Sequence, residues 1–190
     1  MSIVSFVVNE MVPPIDMKTL LVFALLALTA EALHSSPQRP DVRFLPTPQN
    51  VVDAMLTLAH VTPADVVFDL GSGDGRIPIT AATKFGARGV GIEIDASLVR
   101  LARENAARAG VSDRVSFIEG DLFQADLSSA TVVAIFLLPS MNMRLIPRFE
   151  RELRPGARIV SHHFAMGDRW EPDAEQDVSG LMIYLWNVRK

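Results

Sequence analysis

The chain has 190 residues, enough for one domain with a sizeable core, and its 49% hydrophobic content and mean hydropathy of +0.25 call for a search for a membrane-directed segment. A net charge of −4 argues against a broad electrostatic surface for nucleic acid, so no nucleic-acid partner is expected. Cysteine is absent, which excludes disulfides, thiolate metal sites and cysteine nucleophiles; the four histidines show no HExxH spacing, so no metal site is expected.

Residues 1–16 show no clear period. Met17-Lys18 then opens a new pattern: one basic residue, an uncharged run from Thr19 to Ala30, and Ala30-Glu31-Ala32 as a small-residue exit. That order is the shape of a secretory signal, and the run is short for a spanning helix. Residues 1–32 are therefore expected to be a leader, either a signal peptide or a membrane anchor, starting from Met17 and in contact with a membrane. An exported or membrane-anchored location follows, with a cytoplasmic domain left open. A short helix lying on the domain or on a membrane surface is the alternative. Residues 33–43 form a polar, proline-containing linker, and residues 44–190 the domain.

Thr47 is placed to cap a helix with Pro48 at its first position, and Val51, Met55 and Leu58 recur at helical spacing up to His60. Val66-Val67-Phe68 reads as a strand covered on both faces. It runs through Asp69 into Gly71-Ser72-Gly73-Asp74-Gly75-Arg76, a turn whose alternate glycines permit positive φ and close approach of a ligand. A helix over 77–85 follows, its free N–H groups facing the same space. Gly89 to Ile94 is a second strand with Glu93 near its tip, and Asp95 caps a helix that stops at Gly110. A third strand over 114–118 leads to Asp121, and a fourth over 131–136 leads to Leu137-Leu138-Pro139-Ser140. A helix over 141–153 and a fifth strand over 157–161 come next. Asp177-Val178 and Leu181 to Val188 read as a hairpin around Ser179-Gly180. The fold class is α/β: a Rossmann-like, doubly wound, mostly parallel sheet with an antiparallel C-terminal hairpin.

The glycine spacing is G-x-G-x-G, with Arg76 where a dinucleotide fingerprint would carry its third glycine. Asp69, just before the turn, would repel a pyrophosphate and attract an ammonium or a sulfonium. Asp69, Glu93 and Asp121 stand near three successive strand ends, where ligands bind in open α/β sheets. A lone aspartate in such a place is usually a cap or a turn former, the reading given to Asp74 and Asp95.

Asp-x-Gly-x-Gly-x-Gly at the end of a first strand resembles motif I of the class I S-adenosylmethionine-dependent methyltransferases. Pro46-Thr47-Pro48, Asp69 to Arg76 and Leu137-Leu-Pro-Ser-Met-Asn142 together are similar to small bacterial relatives of the mitochondrial lysine methyltransferases that act on the ATP synthase c subunit and the adenine nucleotide translocator. The similarity covers roughly residues 42–188. It implies S-adenosylmethionine as cofactor. Asp69, Gly71, Ser72, Gly73 and Gly75 would hold its methionine part, Glu93 its ribose hydroxyls, Asp121 its adenine amine, with Ile94 and Leu122 against the ring. Pro139, Ser140 and Asn142 would line the acceptor channel, and Trp170 would either cover it or pack elsewhere. Where an amino-methylating nucleic-acid enzyme would show Asp/Asn-Pro-Pro-Tyr, this chain has Leu-Leu-Pro-Ser.

The expected reaction is methyl transfer to a lysine amine of a protein, one associated with a membrane if the leader is an anchor. A small-molecule acceptor is the main alternative. An NAD-dependent oxidoreductase and a non-catalytic cofactor-binding protein are further ones. No catalytic base is identified. For His162 and His163, a polar strand end or a hydrogen-bonded ring is the favoured reading.

Overall fold

A computed structural model describes residues 45–189. The expected leader (1–32), the linker (33–43) and residue 44 lie outside the described residues. Among the described residues no helix is long and apolar enough to cross a membrane.

The elements run α1 (Gln49–Leu58), β1 (Val66–Leu70), α2 (Arg76–Phe85), β2 (Arg88–Glu93), α3 (Ala96–Arg108), β3 (Val115–Glu119), β4 (Val132–Ile135), α4 (Pro139–Glu152), β5 (Arg158–His162), a 3₁₀ turn (Gly167–Arg169), β6 (Ala174–Val178) and β7 (Leu181–Asn187). The sheet order is β3-β2-β1-β4-β5-β7-β6. The first five strands are parallel, and β7 pairs antiparallel with both β5 and β6. This is the doubly wound sheet with an antiparallel C-terminal hairpin that the sequence predicts. Ser179 (φ 57°) and Gly180 (φ 85°) both take positive φ at the hairpin tip, as a two-residue turn matching the strand twist requires.

The sheet is covered on both faces, which explains the unbroken apolar runs of its central strands. Val67, Val132, Ala134 and Val160 pack with α1 and α2 residues such as Val51, Met55 and Ile77. Phe68, Leu70, Val133, Ile135 and Ile159 pack with Leu145, Ile146 and Phe149 of α4. Alternation along the strands then puts Asp69 on the α1–α2 face with Val67, and His162 there with Val160. The sheet order reverses between β1 and β4, so the crevice for a ligand lies at the carboxyl ends of those strands.

Two differences from expectation bear on the site. Thr47 is not a helix cap: no side chain caps α1, and Pro48, extended at φ −56° and ψ 145°, precedes its first residue. The Thr47 hydroxyl is engaged with the ring of His162 instead. Helix α4 starts two residues early, with Pro139 at its head, where the missing N–H of proline costs nothing. Asp95 caps α3 as read, accepting from the Ser97 N–H at 2.7 Å.

Candidate active site

The glycine turn lies between β1 and α2. Gly71, Gly73 and Gly75 have φ of 86°, 52° and 79°, a run that L side chains resist. A Cβ on Gly75 would also lie 2.6 Å from the Phe117 ring. The turn is fastened to the neighbouring strand: Gly71 and Ser72 donate their N–H groups to the Ile92 carbonyl at 2.9 and 3.0 Å. Gly91 makes this approach possible, because a Cβ there would sit 2.5 Å from Ser72 Oγ. A glycine inside a strand is the sequence signal for such an approach, and it was legible in Gly89-Val90-Gly91.

Asp69 and Glu93 are both buried, at 4% and 8% exposure, but they are satisfied very differently. Glu93 Oε2 accepts the Gly73 N–H at 2.9 Å, and Oε1 accepts the N–H groups of Ile94 and Asp95 at 2.8 and 3.0 Å. No hydrogen bond from the described residues supports the Asp69 carboxylate. Burial, together with the negative charges of Glu93 and Asp74, pushes its pKa up to about 8. A buried acid with two like charges nearby and no donor among the described residues favours a positively charged ligand. Ser72 Oγ is also buried without a partner among the described residues. A ligand carrying an ammonium and a sulfonium answers this demand, whereas a pyrophosphate would meet three carboxylates.

Asp74 folds back as a turn former. It accepts from the Arg76 backbone N–H at 3.3 Å, and the Arg76 guanidinium pairs with it at 2.6 to 3.2 Å. Arg76 also donates to the Thr47 carbonyl at 2.7 Å. The segment before α1 is thereby tied to the glycine turn, a role that the sequence reading of Arg76 missed.

Asp121 sits two residues past β3, half-buried, with Oδ1 accepting from the Phe123 N–H at 2.8 Å and Oδ2 from Gln124 Nε2 at 3.3 Å. Ile94 and Leu122 are half-buried beside the ends of β2 and β3. The loop after β3 is held by Arg148 of α4, which donates to the carbonyls of Leu122 (3.0 Å) and Ala125 and pairs with Glu152. Arg144 lies over the Phe123 ring at 3.9 Å.

Pro139 and Ser140 are exposed in the first turn of α4. Asn142 departs from the expectation of an open channel wall: it is fully buried, and its Nδ2 donates to the Phe164 carbonyl at 3.1 Å. It holds the turn after β5 from beneath. Trp170 is not a lid: it packs against the core on the α4 face, and its carbonyl accepts from Trp186 Nε1 at 2.8 Å. His162 is 3% exposed, with Nδ1 3.2 Å from Thr47 Oγ1. It matches the hydrogen-bonded ring expected at a strand end. Burial, then the neighbouring His163, lowers its pKa to about 4, so the ring is neutral near pH 7. Among the described residues no group of three or more histidine, aspartate or glutamate side chains is placed to hold a metal.

The model of the ANTKMT methyltransferase domain matches residues 69–174, from the acid of the glycine turn to the first residue of β6. The chain belongs to the ANTKMT methyltransferase family. It is 47% identical over 134 residues to a protein-lysine N-methyltransferase of Saccharolobus islandicus, covering 70% of this chain and 83% of the relative. It is 37% identical over 153 residues to the mouse adenine nucleotide translocase lysine N-methyltransferase, covering 80% of this chain and 66% of the relative. The crystal structure of an RNA methyltransferase from Salinibacter ruber in complex with S-adenosylhomocysteine superposes with a TM-score of 0.74 at 57% identity, covering 76% of this chain and 94% of that one. The methyltransferase assignment and the S-adenosylmethionine cofactor that the motif resemblance implies both stand.

Proposed function

We propose that this methyltransferase transfers the methyl group of S-adenosylmethionine to a lysine amine of a protein. The observation that carries the donor site is the buried Asp69 carboxylate, which has no hydrogen-bond donor among the described residues, at the mouth of a positive-φ glycine turn. The acceptor class rests on the lysine methyltransferases that the chain resembles, in particular the Saccharolobus islandicus relative, 83% of which it covers.

Each residue then has a task. Asp69 takes the ammonium of the methionine part, and the Gly71–Gly75 turn with Ser72 cradles it. Glu93 Oε2 carries a single backbone N–H, so it retains a lone pair for a ribose hydroxyl. Asp121 Oδ2 accepts from the adenine amine, with Ile94 and Leu122 on the ring faces. Pro139 and Ser140 form the rim on the acceptor side.

The bound cofactor supplies a methyl group on a positively charged, activated sulfur. With it bound, the lysine nitrogen lone pair would form the new C–N bond as the C–S pair stays on sulfur, so the products would be a thioether and a protonated methylamine. The amine must first be neutral, which costs about 4–5 kcal/mol at pH 7 from an unperturbed pKa near 10.4. Desolvation beside the sulfonium lowers that cost without a dedicated base. The chain contributes alignment and exclusion of water, worth roughly 7–11 kcal/mol in favourable cases.

The leader expected at residues 1–32 supports a membrane-associated acceptor and a membrane-anchored or exported location. The test is the full-length protein incubated with methyl-labelled S-adenosylmethionine and an extract of cells lacking it, fractionated into membrane protein, soluble protein, RNA and small molecules. Label in methyl-lysine of a membrane protein is the expected outcome. Label confined to RNA or to small molecules contradicts the acceptor reading.

A further inference from the structure

Four rings gather where β4 and β5 end. Phe136 and His162 have centroids 4.1 Å apart, Phe136 and Phe164 are stacked at 6.5 Å, and His163 meets Phe164 edge-on at 4.5 Å. The strand register places them relative to the cofactor turn. Leu70 pairs with Ile135 and Ile135 with Ser161, so Gly71, Phe136 and His162 form the next row outward. Alternation puts Phe136 and His162 on the face that Asp69 occupies. From strand spacings, the Phe136 and His162 backbones lie about 8 and 12 Å from that of Asp69.

This row is built at a cost. His163 has φ 70°, and the Phe164 N–H closes on the His162 carbonyl at 2.9 Å, a γ-turn of the strained kind. The strain is held by surrounding bonds: Ser161 Oγ and Asn142 Nδ2 both donate to the Phe164 carbonyl, at 2.6 and 3.1 Å. The His163 N–H is fixed on the Met182 carbonyl at 2.7 Å. From the other side Thr47 Oγ1 fixes the His162 ring, whose Nε2 is buried without a partner among the described residues. A strained turn pinned from three elements, beside the cofactor turn, orients rings toward a purpose other than core packing; Phe136 and Phe164 are only half-buried.

We propose that Phe136 and Phe164, backed by the ring of His162, form the wall that receives the acceptor amine, with Thr47 as the positioning residue for His162. The proposal rests on the methyltransferase reading and deepens it. Aromatic faces attract an alkylammonium through their quadrupoles. Unlike a carboxylate, they do so without a full negative charge that would hold the amine protonated. The wall thus suits an aliphatic amine that arrives as a cation, reacts as a neutral group and leaves as a methylated cation.

The test uses the full chain loaded with S-adenosylhomocysteine, whose binding is measured first by calorimetry. Tetramethylammonium is then titrated and followed by NMR, with tert-butanol as the uncharged probe of similar size. The expected result is a shift of the His162, Phe136 and Phe164 ring resonances. Tetramethylammonium should bind at least about threefold tighter than tert-butanol, an advantage lost in Phe136→Leu or Phe164→Leu at unchanged S-adenosylhomocysteine affinity. Thr47→Val should lose the same advantage and Thr47→Ser restore it. Equal binding of the two probes, shifts confined to another surface, or unchanged selectivity in both phenylalanine variants would overturn the wall. Failure of S-adenosylhomocysteine to bind would instead overturn the functional reading beneath it.

Discussion

Glu93 Oε2 accepts the backbone N–H of Gly73 at 2.9 Å, so the acid at the tip of β2 is a fastener of the glycine turn on β1. Its other oxygen holds two more N–H groups. One carboxylate therefore shapes the site and is available to bind in it. Glu93→Ala should both weaken S-adenosylmethionine binding by more than tenfold and destabilise the fold by about 1.5–3 kcal/mol, the scale of hydrogen bonds to a charged group. Glu93→Gln keeps one acceptor oxygen and should lose less of each. Calorimetry and urea denaturation measure the two effects. A Glu93→Ala protein with unchanged stability would contradict the fastening role.

Asp69 should link cofactor binding to pH. Its pKa in the free protein is raised to about 8, above the ordinary carboxylate value, so between roughly pH 4 and 8 the folded state holds a proton that the unfolded state has released. The carboxylate therefore costs stability progressively as pH rises through that window. A cation at Asp69 favours the ionised form and expels the proton. Affinity for S-adenosylhomocysteine should rise from pH 6 to pH 8, and the rise should vanish in Asp69→Asn. A slope that persists in the variant would assign it to another group.

Arg148 should matter to the adenine side without touching the cofactor. It spans from α4 to the Leu122 and Ala125 carbonyls, and Glu152 holds it there. Arg148→Met frees the loop that carries Asp121 and Leu122. The predicted result is a several-fold rise in the Kd for S-adenosylhomocysteine with a smaller rise for its methionine fragment alone. An equal rise for both would place the effect elsewhere.

Asp65 anchors the opposite end of the sheet. Burial alone would raise its pKa, but hydrogen bonds from Thr131 and Thr62 and the Arg158 guanidinium outweigh burial and hold it below the usual value. Its contribution is present above the ordinary carboxylate pKa and is lost as pH falls through the lowered one. Arg158→Met leaves a buried acid without its cation and should destabilise by about 3 kcal/mol at pH 7, less at pH 3. Cofactor affinity should not change, because the pair lies at the amino end of β1.

The alternation of strands with helices, the hairpin and the three positive-φ glycines were legible because each is written locally: apolar runs of strand length, turn residues at fixed offsets, acids before glycines. What escaped was long-range. Thr47 has the composition of a helix cap, and only the fold reveals that a histidine 115 positions away claims its hydroxyl. Asn142 reads as a channel-lining residue near the head of a helix, yet α4 turns it inward onto the Phe164 carbonyl. In sequence Phe136 only closes the fourth strand, and Phe164 falls in no expected element. Their meeting depends on the parallel pairing of β4 with β5, which no local pattern encodes.

The account depends most on a methyl donor seated against Asp69. Calorimetry of the purified full chain with S-adenosylmethionine and, separately, NAD tests this directly, using wild type and Asp69→Ala with the fold of each checked by circular dichroism. The account predicts one-to-one binding of S-adenosylmethionine, none detectable in the folded Asp69→Ala protein, and no comparable binding of NAD. Full-strength binding by Asp69→Ala, or tighter binding of NAD, would contradict it.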